Sequence, residues 1–386
     1  MSLKRKAAIV GISEMKPTKA PEGRTALGII AEVAREAIAD AGLKKGDIDG
    51  ILAGAALGDF CLMWPSAIAE YLKIYPQYAD VVDIGGASCT GMAWRAAAAI
   101  QAGLCQTVLC VVGDAWDVAR FYEKELPFPS TEAEFENPYG PMGANSGYAL
   151  ITHRHMYEYG TTPAQLAKIA VDQRTNACAN PTALFSGKPL TIAEVLSSPV
   201  VVDPIHLLEI VMPCTGGAAF VITAADRAQA GPHPPIYLLG AGECCTHTAI
   251  TYAPSLTTSP VKVSAQKAFE MAGLTPQEMD LVAPYDCYPI TVLITLEDAG
   301  FCQKGEGGRF VEETDLTYRG TLPLNTHGGQ LSFGQPGLAG GMSHLLEAVR
   351  QLMGRAGGRQ VQDAELAFVN GNGGIMSEEC SIVLGR

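Results

Sequence analysis

A cysteine at the start of a predicted helix is the sharpest chemical feature of the sequence. The run GGASCTG, from Gly85 to Gly91, lies between a predicted strand and a predicted helix. Small residues permit a tight turn that can hold Cys89 at the helix N-terminus. The positive helix end lowers a thiol pKa and apolar burial raises it, so the dipole has to outweigh desolvation if a thiolate is to form. We interpret Cys89 as a nucleophile and most of the other ten cysteines as structural.

Three runs in the second half contain residues that could complete the site. They are YDCY at 285–288, NTHGG followed by GQPG within 325–337, and NGNGG at 370–374. Each is predicted to follow a strand or to precede a helix. Open α/β sheets bind their ligands at such turns, beyond the carboxyl ends of the strands. We therefore expect these turns and Cys89 to form one site.

The elements that position these residues alternate between strands and helices, which indicates a parallel α/β sheet. The predicted strands of the first half are Ala7 to Ile12, Ile48 to Ala56, Val81 to Ile84 and Thr107 to Val112. The predicted helices there are Thr25 to Ala41, with Thr25 as its cap and Gly42 beyond its end, and Cys89 to Gly103. In the second half, helices are predicted up to Asp298 and from Met342 to Leu352.

The sequence also contains an internal repeat. A shift of 231 positions aligns Ala37 with Ala268 and Gly42 with Gly273, so a helix, its glycine stop and the next strand recur in the same order. We predict two homologous halves, 1–230 and 231–386. The first carries an inserted loop domain at about 114–213, helical from Ala144, and the linker is at 231–235.

Composition excludes several classes of function. The chain has 386 residues and a net charge of -13, with scattered Lys and Arg, so it offers no surface for nucleic acid. It contains no apolar run long enough to span a membrane and no secretory leader. Eleven cysteines without a C-x-x-C pair, and seven histidines without ligand spacing, predict a cytoplasmic protein with no metal site.

These motifs resemble the thiolase superfamily, in the bacterial branch similar to the sterol-carrier-protein (SCP-x type) thiolases. Cys89 matches the nucleophilic cysteine of the family. The stretch from Tyr285 to Gly308 resembles the HDCF motif and its downstream helix, and MPCTGGAAFVI from Met212 resembles the exit from the loop domain. NTHGGQLSFGQPG resembles Asn-x-x-Gly-Gly followed by Gly-His-Pro, and NGNGG resembles the late glycine-rich turn.

The resemblance implies an α/β fold and a set of roles. The fold would be the duplicated βαβαβαββ thiolase fold, layered α/β/α/β/α, with the loop domain inserted in the first half. Cys287 would be the acid/base thiol, and amides of Cys89 and of the Gly373-Gly374 turn would bind an oxyanion. Asn325, Gly373 and Gly374 would contribute to cofactor binding. Coenzyme A would be a co-substrate, with no covalently bound cofactor.

Two positions depart from the pattern of the family. Gln335 occupies the position of the Gly-His-Pro histidine, and Tyr285 replaces the first residue of HDCF. A glutamine donates a hydrogen bond to an oxyanion but cannot take a proton from a thiol. His327, in the NTHGG turn, is the nearest histidine in the sequence that could substitute, although a structural role is also open to it.

The implied activity is that of a thiolase-type acyltransferase, similar to acetyl-CoA C-acyltransferases. Cys89 would attack the 3-oxo carbon of an acyl-CoA and form an acyl-enzyme, Cys287 would protonate the released enolate, and free CoA would accept the acyl group. The reverse is a Claisen condensation. Two alternatives are a retro-aldolase on a 3-hydroxyacyl-CoA, of the steroid side-chain type, and a non-catalytic acyl-CoA-binding subunit.

The expected partners are an acyl-CoA, a second copy of the chain in a homodimer, and a small zinc-ribbon/OB-fold subunit. The sequence does not specify the acyl group. Aromatic and apolar residues of the insertion could line a pocket for a bulky acyl chain: Phe121, Tyr122, Phe128, Tyr139 and Met142.

Overall fold

The first half of the chain alternates strands and helices, as predicted. A computed structural model describes residues 2–56, 61–116, 131–140 and 143–386, with backbone only for 132 and 133. The elements up to residue 114 are β1 (Ala7–Glu14), α1 (Ala26–Asp40), β2 (Gly50–Gly54), α2 (Trp64–Leu72), β3 (Tyr78–Val82), α3 (Ser88–Gln101) and β4 (Thr107–Asp114).

The insertion is mainly helical and returns the chain to the sheet. It contains α4 (Thr131–Phe135), α5 (Gly143–Tyr159), α6 (Pro163–Cys178), α7 (Ile192–Ser197), β5 (Val200–Val202) and β6 (Ile205–His206), and is followed by β7 (Gly216–Ala224). The second half contains β8 (Ile236–Cys245), α8 (Val261–Ala272), β9 (Leu281–Pro284), α9 (Pro289–Asp298), α10 (Gly307–Glu313), α11 (Gly329–Phe333), α12 (Ala339–Leu352), β10 (Leu366–Gly373) and β11 (Glu378–Gly385).

Local signals account for the ends of α1. The Thr25 side chain accepts a hydrogen bond from the Gly28 amide at 3.1 Å and so caps the first turn. Gly42, just beyond the helix, has φ +71, a left-handed conformation that glycine adopts without strain. The predicted cap and stop are confirmed.

The third strand lies earlier in the chain than predicted. We expected Val81 to Ile84, whereas the strand is Tyr78–Val82, paired in parallel with Gly50–Gly54. It lies at the end of the sheet and is exposed over much of its length, so it lacks the continuous apolar pattern of a central strand. Ile84 belongs to the turn that precedes α3.

The strand order of the main sheet shows the internal repeat in space. The order is β3-β2-β4-β7-β1-β8-β11-β10-β9. From β1 outward, the sequence β1-β7-β4-β2 is matched on the other side by β8-β11-β10-β9. The two sides join through β1 and β8, which pair at Ala8–Tyr237 and Ile9–Ile236. The division at residue 230 remains a prediction.

Two helices are buried between the two halves of the sheet, the half that contains β1, β7, β4 and β2 and the half that contains β8, β11, β10 and β9. Helices α3 and α12 contact each other and strands of both sides, whereas α1 packs on β1, β4 and β7 and α8 packs on β8 and β11. This arrangement is the predicted layered α/β thiolase fold. Within the described part of the chain, no helix combines the length and hydropathy required to cross a membrane.

The packing of the two sides brings distant turns together. A Cβ atom added at Gly85, before α3, would lie only 2.9 Å from the Gly373 Cα, at the end of β10. Parallel pairing of β9 with β10 places their carboxyl ends at the same edge. The turns before α3, after β9 and after β10 therefore meet at one place.

Candidate active site

A cavity of about 660 Å³ lies where these turns meet. Tyr285, Cys287 and Gln335 line it, as do Gly86 and Gly374. They come from glycine-rich or polar runs that are far apart in sequence. The structure therefore brings these five residues to one cavity, and their role in a functional site stays a prediction.

Tyr285 lies in a slot formed by backbone. Its side chain is 5% exposed, and its hydroxyl oxygen accepts a hydrogen bond from Gln335 Nε2 at 3.3 Å. A Cβ atom added at Gly86 would lie 2.4 Å from the Tyr285 hydroxyl and 2.4 Å from the Asn372 carbonyl oxygen. Burial raises the pKa of Tyr285, so the phenol is protonated at neutral pH. The start of α3 thus presents a bare backbone against which this phenol lies.

Cys287 is the thiol of the cavity, and hydrogen-bond donors surround it. Burial raises the pKa of Cys287 to about 12. Asn372 Nδ2 donates to the sulfur at 3.9 Å and to the Tyr148 oxygen at 2.7 Å. Tyr148 in turn donates its proton to the Gly374 carbonyl at 3.0 Å. Cys287 is therefore a protonated thiol beside groups able to stabilise its anion.

Cys89 is the main correction to the sequence analysis. It is fully buried, it is not among the residues that line the cavity, and its sulfur donates a hydrogen bond to the Leu338 carbonyl at 3.2 Å. Burial raises the pKa of Cys89, which is the opposite of the decrease that activation by the helix dipole would require, and the sulfur does not face the cavity. Because α3 is buried between the two halves of the sheet, Cys89 belongs to an apolar cluster, together with Met92 and Cys110.

The burial of Cys89 leads to a testable prediction. We expect Cys89→Ala to keep kcat/KM within about threefold of the wild type while lowering the free energy of unfolding by about 1 kcal/mol, because only core packing is lost. Cys110→Ala is the matched control, since Cys110 is equally buried in the same cluster. Steady-state rates and denaturant unfolding measure both effects. Loss of turnover in Cys89→Ala alone would contradict this placement.

Asn325 and His327 are also outside the cavity lining. Asn325 Nδ2 donates to the Pro284 carbonyl and Asn325 Oδ1 bonds His344 Nδ1, both at 2.9 Å. His327 is fully buried, neither ring nitrogen has a hydrogen-bond partner, and burial lowers its pKa well below the ordinary value. A neutral, enclosed His327 cannot replace the Gly-His-Pro histidine. Gly373 contacts the turn before α3 rather than the cavity.

A buried polar cluster fixes the backbone that carries Tyr285 and Cys287. Asp286, between them, accepts hydrogen bonds from the Gln330 amide at 2.8 Å and the Leu331 amide at 3.2 Å. His344 Nε2 lies 3.0 Å from Asp286 Oδ1. The cluster holds the turn after β9 rigidly against α11 and α12, so the two reactive side chains keep their positions.

The insertion contributes side chains to the cavity that were not predicted from the sequence. Asn145 and Tyr148 of α5 line the cavity, and so does Asn372 of NGNGG. No motif marks the first two, and only the helical pattern around them was predicted. Of the insertion residues expected to form an acyl pocket, Phe121, Tyr122, Phe128 and Met142 lie outside the described residues. Tyr139 is 92% exposed and does not line the cavity.

The chemistry available in the cavity is hydrogen bonding and proton transfer. The lining side chains among the described residues carry hydroxyl, thiol and amide groups but no formal charge. Over the same described ranges, no cluster of three His, Cys, Asp or Glu side chains is arranged to hold a metal ion. The site can therefore stabilise a developing oxyanion or enolate with neutral donors.

The chain is similar in sequence and in structure to several known proteins. Residues 242–386 match the family model described as thiolase C-terminal domain-like. An acetyl-CoA acetyltransferase of Methanothermobacter thermautotrophicus is 32% identical over 378 residues, 96% of this chain and 97% of that protein. A steroid side-chain-cleaving aldolase of Thermomonospora curvata is 31% identical over 362 residues, 90% of each. A solved Ltp2-ChsH2(DUF35) aldolase superposes with a TM-score of 0.90 at 29% identity, covering 100% of this chain and 98% of that one.

Proposed function

The chain belongs to the thiolase superfamily, in its SCP-x-like branch, and from this premise we propose that it is a thiolase-type acyltransferase that breaks or forms the C–C bond beside an acyl-CoA thioester. The observation that carries the proposal is the convergence of Tyr285, Cys287 and Gln335 on one cavity. Coenzyme A is the co-substrate.

Tyr285 is the proposed acid for the enolate. Cleaving a C–C bond next to a thioester leaves an enolate, which requires hydrogen-bond donors and a proton. Because burial raises its pKa, Tyr285 keeps its proton at neutral pH and can deliver it to the enolate carbon. Gln335 Nε2, which donates to the same hydroxyl, stabilises the phenolate that remains.

Cys287 is the proposed nucleophile, in place of Cys89. Its sulfur attacks the 3-oxo carbon of a 3-oxoacyl-CoA, the C2–C3 bond breaks, and the acyl group stays on sulfur as a thioester. Tyr285 gives its proton to the departing enolate. The proton released by the Cys287 thiol then returns to Tyr285, so no proton is gained or lost. Free CoA then takes the acyl group from Cys287. Run backwards, the same steps make a Claisen condensation.

The burial of Cys89 favours a second candidate, a retro-aldolase. A 3-hydroxyacyl-CoA can be split into a carbonyl compound and a shorter acyl-CoA enolate without any acyl-enzyme. That reaction needs proton transfer and an enolate-stabilising site, which Tyr285 and Gln335 supply, and it leaves no task for a second thiol. The similarity to a steroid side-chain-cleaving aldolase supports it.

A substrate panel separates the two candidates. Matched 3-oxoacyl-CoA and 3-hydroxyacyl-CoA thioesters are incubated with the enzyme, with and without free CoA, and the products are quantified. For the acyltransferase we expect repeated turnover of the 3-oxo compound only when CoA is present, and a single cleavage event that leaves an acyl mass on Cys287 when CoA is omitted. Cleavage of the 3-hydroxy compound without CoA would select the retro-aldolase instead.

We further infer a cytoplasmic homodimer that recruits a small zinc-ribbon/OB-fold subunit. Among the strands that the structure describes, β3 is at the end of the sheet and pairs with β2 alone, and Val81 in it is 38% exposed. Such an edge is suited to pairing with the same strand of a second copy. Similarity to the Ltp2-ChsH2(DUF35) aldolase supports the small subunit. Light scattering of the protein, alone and co-expressed with a candidate subunit, tests both.

A further inference from the structure

The cavity has an apolar lining in addition to its reactive groups. Val202, Ile210 and Val211, from the insertion, contribute aliphatic surface to it. Tyr148 and Tyr288 contribute a stacked pair of rings, with centroids 4.4 Å apart and planes inclined by 30°. None of the described lining residues is charged. This composition is suited to a neutral, apolar group rather than to a carboxylate.

The two rings are held by their hydroxyl groups. Tyr288 donates to Asn145 Oδ1 in a short hydrogen bond, and Tyr148 donates to the Gly374 carbonyl. Both rings are also nearly buried, at 4% and 2% exposure. With both hydroxyl groups held, the small part of the pair that reaches the cavity forms a fixed aromatic surface that needs little ordering when a ligand packs against it.

We propose that the acyl group accepted by this cavity is uncharged and contains an aromatic or alicyclic ring, and that Tyr288 is the residue that selects it. The inference rests on the proposed function, because the cavity is taken to hold the acyl end of an acyl-CoA. A ring packs on the aromatic surface with few rotors to freeze, whereas a straight chain loses more freedom. A terminal carboxylate would be buried with no cation among the described lining residues.

Binding of unreactive thioesters tests the proposal independently of turnover. Calorimetry measures Kd for 3-phenylpropanoyl-CoA, nonanoyl-CoA and nonanedioyl-CoA, which have the same number of acyl carbons and lack the 3-oxygen required for cleavage. We expect the phenyl compound to bind about fivefold more tightly than the straight chain, from aromatic packing. We expect the carboxylate compound to bind about 100-fold more weakly than nonanoyl-CoA, from the buried charge.

Two variants test the role of Tyr288. Tyr288→Leu removes the ring and is expected to abolish the preference for the phenyl compound while changing nonanoyl-CoA affinity by less than about twofold. Tyr288→Phe keeps the ring and loses the hydroxyl that bonds Asn145, so it should retain the preference. Since the readout is a ratio of Kd values within one protein, a general loss of stability does not produce the expected pattern.

The outcomes distinguish this inference from the proposed function. Equal Kd values for the phenyl and straight-chain compounds, or tight binding of nonanedioyl-CoA, would overturn the inference even if the enzyme cleaves a 3-oxoacyl-CoA. A phenyl preference that persists in Tyr288→Leu would remove Tyr288 from the assignment. If the compounds bind in the expected order but no acyl-CoA is ever cleaved, the inference stands and the proposed reaction fails.

Discussion

Tyr285→Phe is expected to lower kcat by about 10²- to 10⁴-fold with little change in KM, because the proton for the enolate is lost. The ring stays in its slot against Gly86, so the shape of the cavity is preserved. Steady-state kinetics with a 3-oxoacyl-CoA and free CoA measure the effect. The loss should be as large for condensation as for cleavage, since both directions pass through the same enolate.

The pH dependence of the rate gives a second view of Tyr285. Because burial raises the pKa of this phenol, it keeps its proton through neutral and moderately alkaline pH. We expect kcat to rise with pH as the Cys287 thiolate forms and to fall only at strongly alkaline pH, where Tyr285 loses its proton, and we expect this alkaline fall to disappear in Tyr285→Phe.

Tyr237→Phe is the matched control for this prediction. Tyr237, on β8, is also nearly buried and accepts a hydrogen bond from Gln229 at 2.6 Å, but it is not part of the cavity lining. Its variant should retain wild-type kcat. A Tyr285→Phe enzyme with unaltered kcat would show that another group protonates the enolate.

Cys287→Ala is expected to lower the rate of acyl transfer by about 10³-fold or more and to abolish the acyl mass on the protein, since no other thiol lines the described part of the cavity. Rapid quenching followed by intact-mass measurement detects the acyl-enzyme in the wild type and its absence in the variant. Cys89→Ala serves as the control, because it removes a buried thiol that does not line the cavity.

The ionisation of Cys287 can be measured directly. Its pKa of about 12 predicts that alkylation by iodoacetamide rises about tenfold for each pH unit from neutral pH upward, without a plateau below about pH 10. Peptide mapping separates this site from Cys61 and Cys245, which are exposed. Undiminished acyl transfer in Cys287→Ala, or an acyl adduct on Cys89, would contradict our assignment of the nucleophile.

Much of the fold follows from local sequence. The bounds of α1 follow from the Thr25 cap and the Gly42 stop, and the buried strands follow from unbroken apolar runs such as Thr107–Asp114. The strand that was misplaced, β3, lies at the sheet edge, where side chains face solvent and the apolar signal fades. Its limits are set by pairing with β2 rather than by its own residues.

The family, the order of the elements, and the presence of Tyr285, Cys287 and Gln335 at turns that meet in space could all be predicted from the residues. Which thiol reaches the cavity could not, because that depends on tertiary packing. The direction of the Cys89 side chain depends on how α3 is rotated between the two sides of the sheet, and that rotation is fixed by packing with α12 and with strands of both halves. The same packing encloses His327, and the insertion brings in Tyr148 and Asn145. Contacts between residues this distant leave no local pattern in a single sequence. The local pattern of a segment sets its secondary structure, but it does not identify the distant segment that packs against it.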